Sequence, residues 1–184
     1  AAIGRGENQK PIDENTLWKA SRRNSTYAIS KYGAEREVWR GIEEGLPAVI
    51  INPSVILGPG ETNSGTGKMI SVVLKGLKFY SMGCNGFVDV RDVVKIMQQL
   101  TESDIHGERF IVSAENHTYR EVFALIANSI GKEPPPYKAN RLMGELAWRG
   151  SYALGKLTRT KPLITRETAI TARNTYIYSN QKIK

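Results

Sequence analysis

Tyr27 and Lys31 have the residue types and the spacing of a proton-transfer pair, and they lie in a segment of helical character. Positions four residues apart in a helix lie on one face, about one turn from each other. A phenol is a poor proton donor near neutral pH because its ordinary pKa is about 10, and a nearby ammonium stabilises the phenolate. The ammonium can also donate hydrogen bonds to the hydroxyls of a sugar such as a ribose. The pair is therefore a candidate general acid/base, with an ordinary surface pair as the alternative.

A helix must carry this pair, and the sequence predicts one from Asn24 and Ser25 to about Glu44. Both first residues are good N-caps, and apolar residues follow at three- and four-residue spacings. The β-branched run at 48–51, which leads to Pro53, predicts a strand of a parallel sheet covered on both faces. A helix followed directly by such a strand is half of a βαβ unit.

The rest of the chain alternates helical and strand patterns, so the predicted fold class is α/β. Thr118 and Glu121 have the spacing of a capping box, and the prolines at 134–136 predict a stiff extended spacer. Residues 1–23 are rich in turn-forming residues and predict a loop. Helices are predicted at about 68–77, 92–100, 118–130, 140–157 and 165–173, and strands at 79–81, 87–90, 110–112 and 176–178.

Length and composition are those of an ordinary globular domain. Of the 184 residues, 40% are hydrophobic and 24% are charged, which excludes a disordered chain. No apolar run reaches the ~18 residues of a membrane-spanning helix. The single cysteine cannot form an internal disulfide, and two histidines without cysteine partners do not predict a metal site. We therefore predict a cytoplasmic protein without stable membrane insertion, and the first residues have no signal-peptide pattern.

The formal charge of +8 lies in the last third of the chain. Residues 1–131 carry fifteen basic and fifteen acidic side chains, whereas residues 132–184 carry eleven basic and three acidic ones. A basic segment can attract nucleic acid, phosphates or an anionic membrane surface. Because no nucleic-acid-binding motif accompanies the charge, we predict no nucleic-acid partner. A solvated helical face, or a contact surface for an acidic segment, explains the charge better.

Three segments in order give the tyrosine and the lysine a context. They are N-S-T-Y-A-I-S-K-Y-G-A-E at 24–35, N-P-S-V-I-L-G-P-G at 52–60 and G-F-V-D-V-R-D-V at 86–93. Together they resemble the extended short-chain dehydrogenase/reductase family, which includes the NAD-dependent epimerases and dehydratases. In that family Y-x-x-x-K-x-x-x-E, a strand ending N-P followed by G-P, and F-V-x-V-x-D-V recur in this order. The resemblance runs from Ala1 to about Tyr178 and is nearest to the dihydroflavonol-reductase-like branch.

The resemblance implies the C-terminal part of a doubly wound, Rossmann-type parallel sheet and a smaller mixed α/β substrate domain. Residues 1–60 would complete the dinucleotide-binding domain. Residues 61–184 would form mainly the substrate domain, with elements of the sheet returning around 87–112. The resemblance also implies NAD or NADP as cofactor and a small-molecule substrate, and it allows a homodimer.

Particular residues receive roles from the same resemblance. Tyr27 would protonate or deprotonate the substrate oxygen while a hydride moves between substrate and nicotinamide. Lys31 would bind the nicotinamide ribose and favour the phenolate of Tyr27. Asp92 would cap its helix, and an ion pair explains Asp89 and Arg91 at least as well as a reactive role. The backbone of Pro53, Ser54 and Val55 would contact the nicotinamide end of the cofactor, and Asn52, Phe87 and Val88 would lie on the substrate side.

Two parts of the family pattern lie outside this sequence. No strand leads through a G-x-x-G-x-x-G turn into a helix, the arrangement whose backbone amides receive a cofactor pyrophosphate. The glycine-rich stretches at 58–60 and 65–67 lack that spacing and predict a substrate-side loop. The family's catalytic Ser or Thr would fall just before Ala1. We therefore expect the chain to be the C-terminal portion of a longer enzyme, and to be inactive alone.

The substrate class depends on the segment 85–92. Nucleotide-sugar epimerases of the family have R-D-Y-x-H-V-x-D where this chain has N-G-F-V-D-V-R-D, so Asn85 replaces the arginine that binds a diphosphate. Their R-x-G-D element has no clear match near 131–141. These departures favour an oxidoreductase that acts on a carbonyl compound or a secondary alcohol. A nucleotide-sugar epimerase or dehydratase, and a non-catalytic cofactor-sensing or scaffold protein of the same fold, are the alternatives.

Overall fold

The computed structural model describes residues 2–4, 10–21, 24–60, 65–160 and 164–184. Helices and strands alternate along this part of the chain, which confirms the α/β class. The elements are α1 (Thr26–Glu43), β1 (Val49–Pro53), β2 (Val55–Leu57), α2 (Gly67–Leu74), β3 (Phe79–Tyr80), β4 (Cys84–Asp89), α3 (Val90–Thr101), β5 (Glu108–Val112), β6 (Glu115–Thr118), α4 (Tyr119–Ser129), β7 (Tyr137–Lys138), α5 (Arg141–Thr158) and α6 (Arg166–Thr171).

The chain divides into two compact units. The first contains residues 1–59, 85–116 and 176–184, and the second contains residues 60–84 and 117–175. The first unit holds α1, β1, β2, α3 and β5, and the second holds α2, β3, α4, β7, α5 and α6, while β4 and β6 have residues in both. The assignment of a cofactor domain to 1–60 and of a substrate domain to 61–184 stays a prediction.

Two parallel strand pairs build the first unit. β1 pairs with β5, with Pro53 opposite Val112, and β2 pairs with β4, with Val55 opposite Phe87. β1 and β5 contain short, continuous apolar runs, which are typical of parallel strands covered on both faces. The strands predicted from those two runs are confirmed.

The two faces of β1 and β5 pack into separate apolar clusters. Neighbouring residues of a strand point to opposite faces, so Val112 joins one cluster and Ile111 the other. The first cluster packs against α3 and contains Val88, Val93, Val112, Ile51 and Ile96. The second contains Ile3, Ile12, Ile111, Tyr176 and Tyr178. Ile3 and Ile12, from the segment predicted as an N-terminal loop, therefore contribute to the core of this unit.

The structure has three short strands that the sequence did not predict, and one predicted strand is an isolated bridge instead. β2 is separated from β1 by Ser54 alone, β6 is polar, and β7 has two residues. Such segments lack the separate, extended apolar pattern from which strands are predicted. The strand predicted at 176–178 is wrong, because Tyr178 forms an isolated bridge with Ile12 there instead.

Capping residues explain where the helices begin. Ser25 caps α1 and accepts a hydrogen bond from a helical N–H at 3.1 Å, and Thr118 and Glu121 form the predicted capping box of α4. The prediction that Asp92 caps α3 is wrong. The cap is Asp89, whose backbone is extended, and Asp92 lies in the first helical turn.

The second unit contains a short parallel pair and four helices among its described residues. β3 pairs with β7, with Phe79 opposite Tyr137. α2 packs against α4, and α5 packs against α6. None of the helices in the described part of the chain combines the length and the apolar character that a bilayer crossing requires.

Candidate active site

Helix α1 runs antiparallel to β1 and β5. Near the end of the helix, Ile42 lies beside Gly107, the residue before β5, since a Cβ on Gly107 would be 3.7 Å from Ile42 Cγ2. At the middle of the helix, Glu35 Oε1 lies 2.9 Å from Arg109 Nη1. Glu35 Oε2 accepts a hydrogen bond of 2.8 Å from Asn52 Nδ2. The first half of α1 therefore points toward the carboxyl ends of both strands.

This orientation carries Lys31 and Tyr27 to the carboxyl edge of the strands. A helix rises ~1.5 Å per residue, so Lys31 and Tyr27 lie about 6 and 12 Å beyond Glu35 along the helix axis. A strand rises ~3.3 Å per residue, so about two residues beyond Asn52 span the shorter distance. Lys31 is then roughly level with Ser54, and Tyr27 lies beyond the end of β1. Ligands of open α/β sheets bind at this edge.

Tyr27 and Lys31 lie together on the exposed face of α1. Lys31 Nζ lies over the ring of Tyr27, 5.8 Å from the ring centre, a distance at which the ring face attracts a cation. The Tyr27 side chain is open to a ligand because the residue is 61% exposed, and Lys31 is also exposed. Their catalytic role stays a prediction.

The predicted nicotinamide contacts, Pro53, Ser54 and Val55, form the junction of β1 and β2. The Ser54 N–H donates to the carbonyl oxygen of Val112 at 3.0 Å, Pro53 has no N–H, and Val55 is held in β2 opposite Phe87. The junction is therefore a fixed piece of backbone at the carboxyl edge. Its contact with a cofactor stays a prediction.

The three residues predicted on the substrate side are held by other contacts in the structure. The Asn52 amide donates to Glu35, and its Oδ1 is buried without a partner among the described residues. Phe87 and Val88 are 5% and 4% exposed, and Val88 belongs to the apolar cluster against α3. Their roles as substrate contacts stay predictions.

A buried ionic network around Glu35 was missed by the sequence analysis. The Glu35 side chain is 6% exposed and that of its partner Arg109 is 19% exposed. Trp39 Nε1 lies 3.4 Å from Glu35 Oε1. Arg109 also donates to the carbonyl oxygen of Glu14, and Glu14 Oε1 accepts from the Ile111 N–H at 2.7 Å. A signal existed, because Glu35 ends the Y-x-x-x-K-x-x-x-E pattern and lies seven residues after the buried Ala28, on the same inward face of α1.

Asp89 and Arg91 form an ion pair at the start of α3, as the structural alternative for them predicted. Arg91 Nη2 lies 2.7 Å from Asp89 Oδ2. Hydrogen bonds from Arg91, first from its side chain and then from its backbone, lower the pKa of Asp89 to about 2. The carboxylate is therefore occupied by its neighbour and is not a proton carrier.

Exposed side chains at the carboxyl edge have the hydrogen-bonding groups that the nicotinamide half of a dinucleotide needs, and their contact with it stays a prediction. Lys31 offers exposed N–H donors for ribose hydroxyls, and Tyr27 offers an exposed phenol beside them. Gly58, in one of the glycine-rich stretches, packs closely against Val90, because a Cβ there would lie 2.4 Å from Val90 Cγ1.

Comparison with known proteins identifies the family. The sequence profile described as "NAD dependent epimerase/dehydratase family" matches residues 1–113. The chain therefore belongs to the NAD-dependent epimerase/dehydratase family. This confirms the resemblance found in the sequence and, for the family, the expectation of NAD or NADP as cofactor.

Two of the curated relatives are named as reductases. The chain is 34% identical over 126 residues to "Tetraketide alpha-pyrone reductase 2" of Arabidopsis thaliana, a match that covers 66% of this chain and 39% of the relative. It is 30% identical over 143 residues to "Putative dihydroflavonol 4-reductase" of Synechocystis sp., covering 73% and 41%. The crystal structure of gox2253 is similar with a TM-score of 0.77 and 31% identity, over 100% of this chain and 56% of that chain. The chain thus spans less than half the length of these curated relatives.

Proposed function

We propose that the protein to which this chain belongs is an NAD(P)H-dependent reductase that interconverts a small carbonyl compound and its alcohol. The Tyr27–Lys31 pair carries the proposal, because both side chains are exposed and adjacent at the edge where α/β sheets bind ligands. A purely structural role at this surface would need neither a phenol nor an ammonium. Membership of the family supports a small molecule as the substrate, and a homodimer stays a prediction.

Each residue of the pair has a distinct role in this mechanism. Tyr27 donates its proton to the substrate oxygen as negative charge develops there, and takes a proton back in the reverse direction. Lys31 donates hydrogen bonds to ribose hydroxyls and stabilises the phenolate that remains. Lys31 and the β1–β2 junction would hold NAD(P)H, which would supply the hydride for the carbonyl carbon.

Fixed backbone at the β1–β2 junction orients the reaction. Because the Ser54 N–H is bonded to the Val112 carbonyl and Val55 is paired in β2, Pro53, Ser54 and Val55 would present an ordered backbone surface to the nicotinamide end. Phe87 and Val88, both buried, would shape the substrate side from beneath rather than by polar contact.

The names of the relatives favour a reductase over a nucleotide-sugar epimerase. The two curated relatives at 34% and 30% identity are named as reductases, and Asn85 stands where sugar-nucleotide epimerases carry an arginine. Asn85 is 7% exposed, so it does not present a cation or a donor fork to a diphosphate at the surface.

The proposal is tested on the full-length protein with NADPH and NADH and an activated ketone, trifluoroacetophenone, as probe. We expect NAD(P)H-dependent reduction, and Tyr27→Phe should lower kcat about 100-fold or more because the proton donor is lost. Tyr152→Phe is the matched control, since Tyr152 is 60% exposed on α5 and should leave kcat unchanged.

Three other outcomes would contradict the proposal. Purified protein that retains tightly bound NAD and reduces no ketone would favour the epimerase alternative. Cofactor binding without turnover would favour the sensing or scaffold role. A Tyr27→Phe variant as active as the wild type would remove the assigned proton donor.

A further inference from the structure

Glu35 connects the helix that carries Tyr27 and Lys31 to the two strands whose carboxyl ends form the candidate site. Its Oε1 lies 2.9 Å from Arg109 Nη1 in β5, and its Oε2 accepts 2.8 Å from Asn52 Nδ2 in β1. We infer that Glu35 is a positioning residue, which sets the rotation and the axial position of α1 and thereby fixes Tyr27 and Lys31 at the carboxyl edge. This inference rests on the proposed function.

The inward face of α1 explains why a carboxylate can have this effect. Within α1, the buried residues are Ala28 and Glu35. Burial of a small apolar side chain is non-directional and gives little preference between neighbouring positions of a helix. The hydrogen bonds of a carboxylate to several donors are directional, and such charge-assisted bonds are about twice as strong as neutral ones. Glu35 is therefore a contact that distinguishes one placement of α1 from others a fraction of a turn away.

Arg109 has a second acceptor besides Glu35, which orients its side chain on the strand side of the contact. Its guanidinium also donates to the carbonyl oxygen of Glu14. The Glu14 carboxylate accepts the Ile111 N–H at 2.7 Å, and Ile111 has no exposed surface. The network thus joins α1, β1, β5 and the segment before α1 within one unit of the fold.

The distance from Glu35 to the acid/base pair makes the effect measurable. Lys31 is one turn and Tyr27 two turns before Glu35, and a helix transmits a shift along its axis with little loss. A misplacement of about 1 Å at a reacting group can cost about 100-fold in rate. A change at Glu35 should therefore lower kcat although Glu35 touches neither substrate nor cofactor.

The first test compares Glu35→Gln with Glu37→Gln in the full-length protein, with trifluoroacetophenone and NADPH as probes. Glu37 is the matched control, because it lies on the same helix with its side chain 71% exposed and paired with Arg40. For Glu35→Gln we expect kcat to fall about 10- to 100-fold with a much smaller change in KM, since the loss is in orientation. Glu37→Gln should match the wild type.

Rescue distinguishes positioning from general stability. Arg109→Gln leaves a buried carboxylate without its cation, which is costly, and should lower kcat as Glu35→Gln does. The double variant Glu35→Gln/Arg109→Gln restores a neutral amide pair at the contact. We expect the kcat of the double variant to exceed that of Arg109→Gln. If the two substitutions acted independently, their losses in kcat would multiply and the double variant would be the slowest of the three. Glu35→Asp, which keeps the charge, replaces Glu35→Gln if that variant does not fold.

A readout that needs no turnover keeps the inference testable by itself. Amide hydrogen exchange of residues 26–34 should be faster in Glu35→Gln than in the wild type and in Glu37→Gln. The reason is that the first turns of α1 are no longer held in place against β1 and β5. Unchanged exchange, or unchanged kcat in a protein that Tyr27→Phe inactivates, would overturn the inference and leave the proposed function intact. Faster exchange in a protein without ketone reduction would instead count against the proposed function alone.

Discussion

The Asp89 carboxylate binds the Arg91 guanidinium at the first turn of α3, with Oδ2 2.7 Å from Nη2. Oδ1 also accepts from the Arg91 backbone N–H at 2.8 Å and from Nε at 2.9 Å. One carboxylate therefore caps a helix and pairs with a cation, and both contacts favour its charged form. This accounts for the lowering of its pKa to about 2.

The lowered pKa of Asp89 predicts an acid-dependent loss of stability. The folded-state pKa, about 2, lies below the ordinary value of 3.8, so the unfolded chain takes up the proton first as the pH falls. The contribution of Asp89 is complete above about pH 4 and is lost between about pH 4 and pH 2. We expect Asp89→Asn to lower the free energy of unfolding at neutral pH and to flatten its decline in this window, measured by urea unfolding across pH.

Asp92→Asn is the control for that experiment, since Asp92 lies in the first turn without being the cap. It removes a carboxylate from the same helical turn and keeps the Asp89–Arg91 pair. Parallel declines for wild type and Asp89→Asn would mean that the pair with Arg91 adds nothing to stability in solution.

The local elements of the fold could be predicted from the sequence because their signals are local. Ser25 marks the start of α1, and Thr118 with Glu121 marks the start of α4. The common face of Tyr27 and Lys31 follows from their spacing alone. The contact between Glu35 and Arg109 joins residues 74 positions apart. No periodicity within a helix or strand indicates such a partner, so the contact needed the folded structure.

Close packing at Gly86 predicts that a methyl group there destabilises the first unit. A Cβ on Gly86 would lie 2.5 Å from Ser113 Oγ, 2.8 Å from Tyr178 Cδ2 and 3.0 Å from Ser54 Cβ. Overpacking of this kind costs about 1–3 kcal/mol, so Gly86→Ala should lower the urea midpoint. Gly33→Ala is the control, because nothing lies within 4 Å of a Cβ there and an alanine in a helix is favoured by about 0.5–1 kcal/mol.

A second substitution at the same contact tests its cause. Ser113 Oγ is buried without a partner among the described residues, so Ser113→Ala removes an unsatisfied oxygen and should be close to neutral by itself. In Gly86→Ala/Ser113→Ala the shortest clash is gone, and part of the lost stability should return. If the double variant were no more stable than Gly86→Ala, the clash with Tyr178 or Ser54 would cause the loss of stability instead.

The capping box of α4 predicts that loss of the Thr118 hydroxyl lowers stability. Thr118 Oγ1 accepts from the Glu121 N–H at 3.2 Å, and Glu121 Oε2 accepts from the Thr118 N–H at 2.8 Å. Thr118→Ala should destabilise the protein by about 1 kcal/mol, as measured by urea unfolding, because a helical donor loses its acceptor. Thr118→Ser keeps the hydroxyl and should keep the stability. An equal loss in both variants would assign the effect to the threonine methyl group.

The proposed role of Lys31 predicts that substitutions at Lys31 and Tyr27 separate cofactor binding from catalysis. Its exposed ammonium, one turn from Tyr27, is proposed to bond ribose hydroxyls, and a hydrogen bond from a charged group contributes about 1.5–3 kcal/mol. In the full-length protein, Lys31→Met should therefore raise the Kd for NADPH at least about tenfold, measured by fluorescence titration of the nicotinamide. Tyr27→Phe keeps the ammonium and should bind NADPH nearly as the wild type does, although it should be inactive.

Lys75→Met, at an exposed lysine beyond the end of α2, controls for the loss of one positive charge. If Lys31→Met and Lys75→Met bound NADPH equally well, the ammonium of Lys31 would be acting on the phenol alone, and the ribose contact would have to be given to another residue.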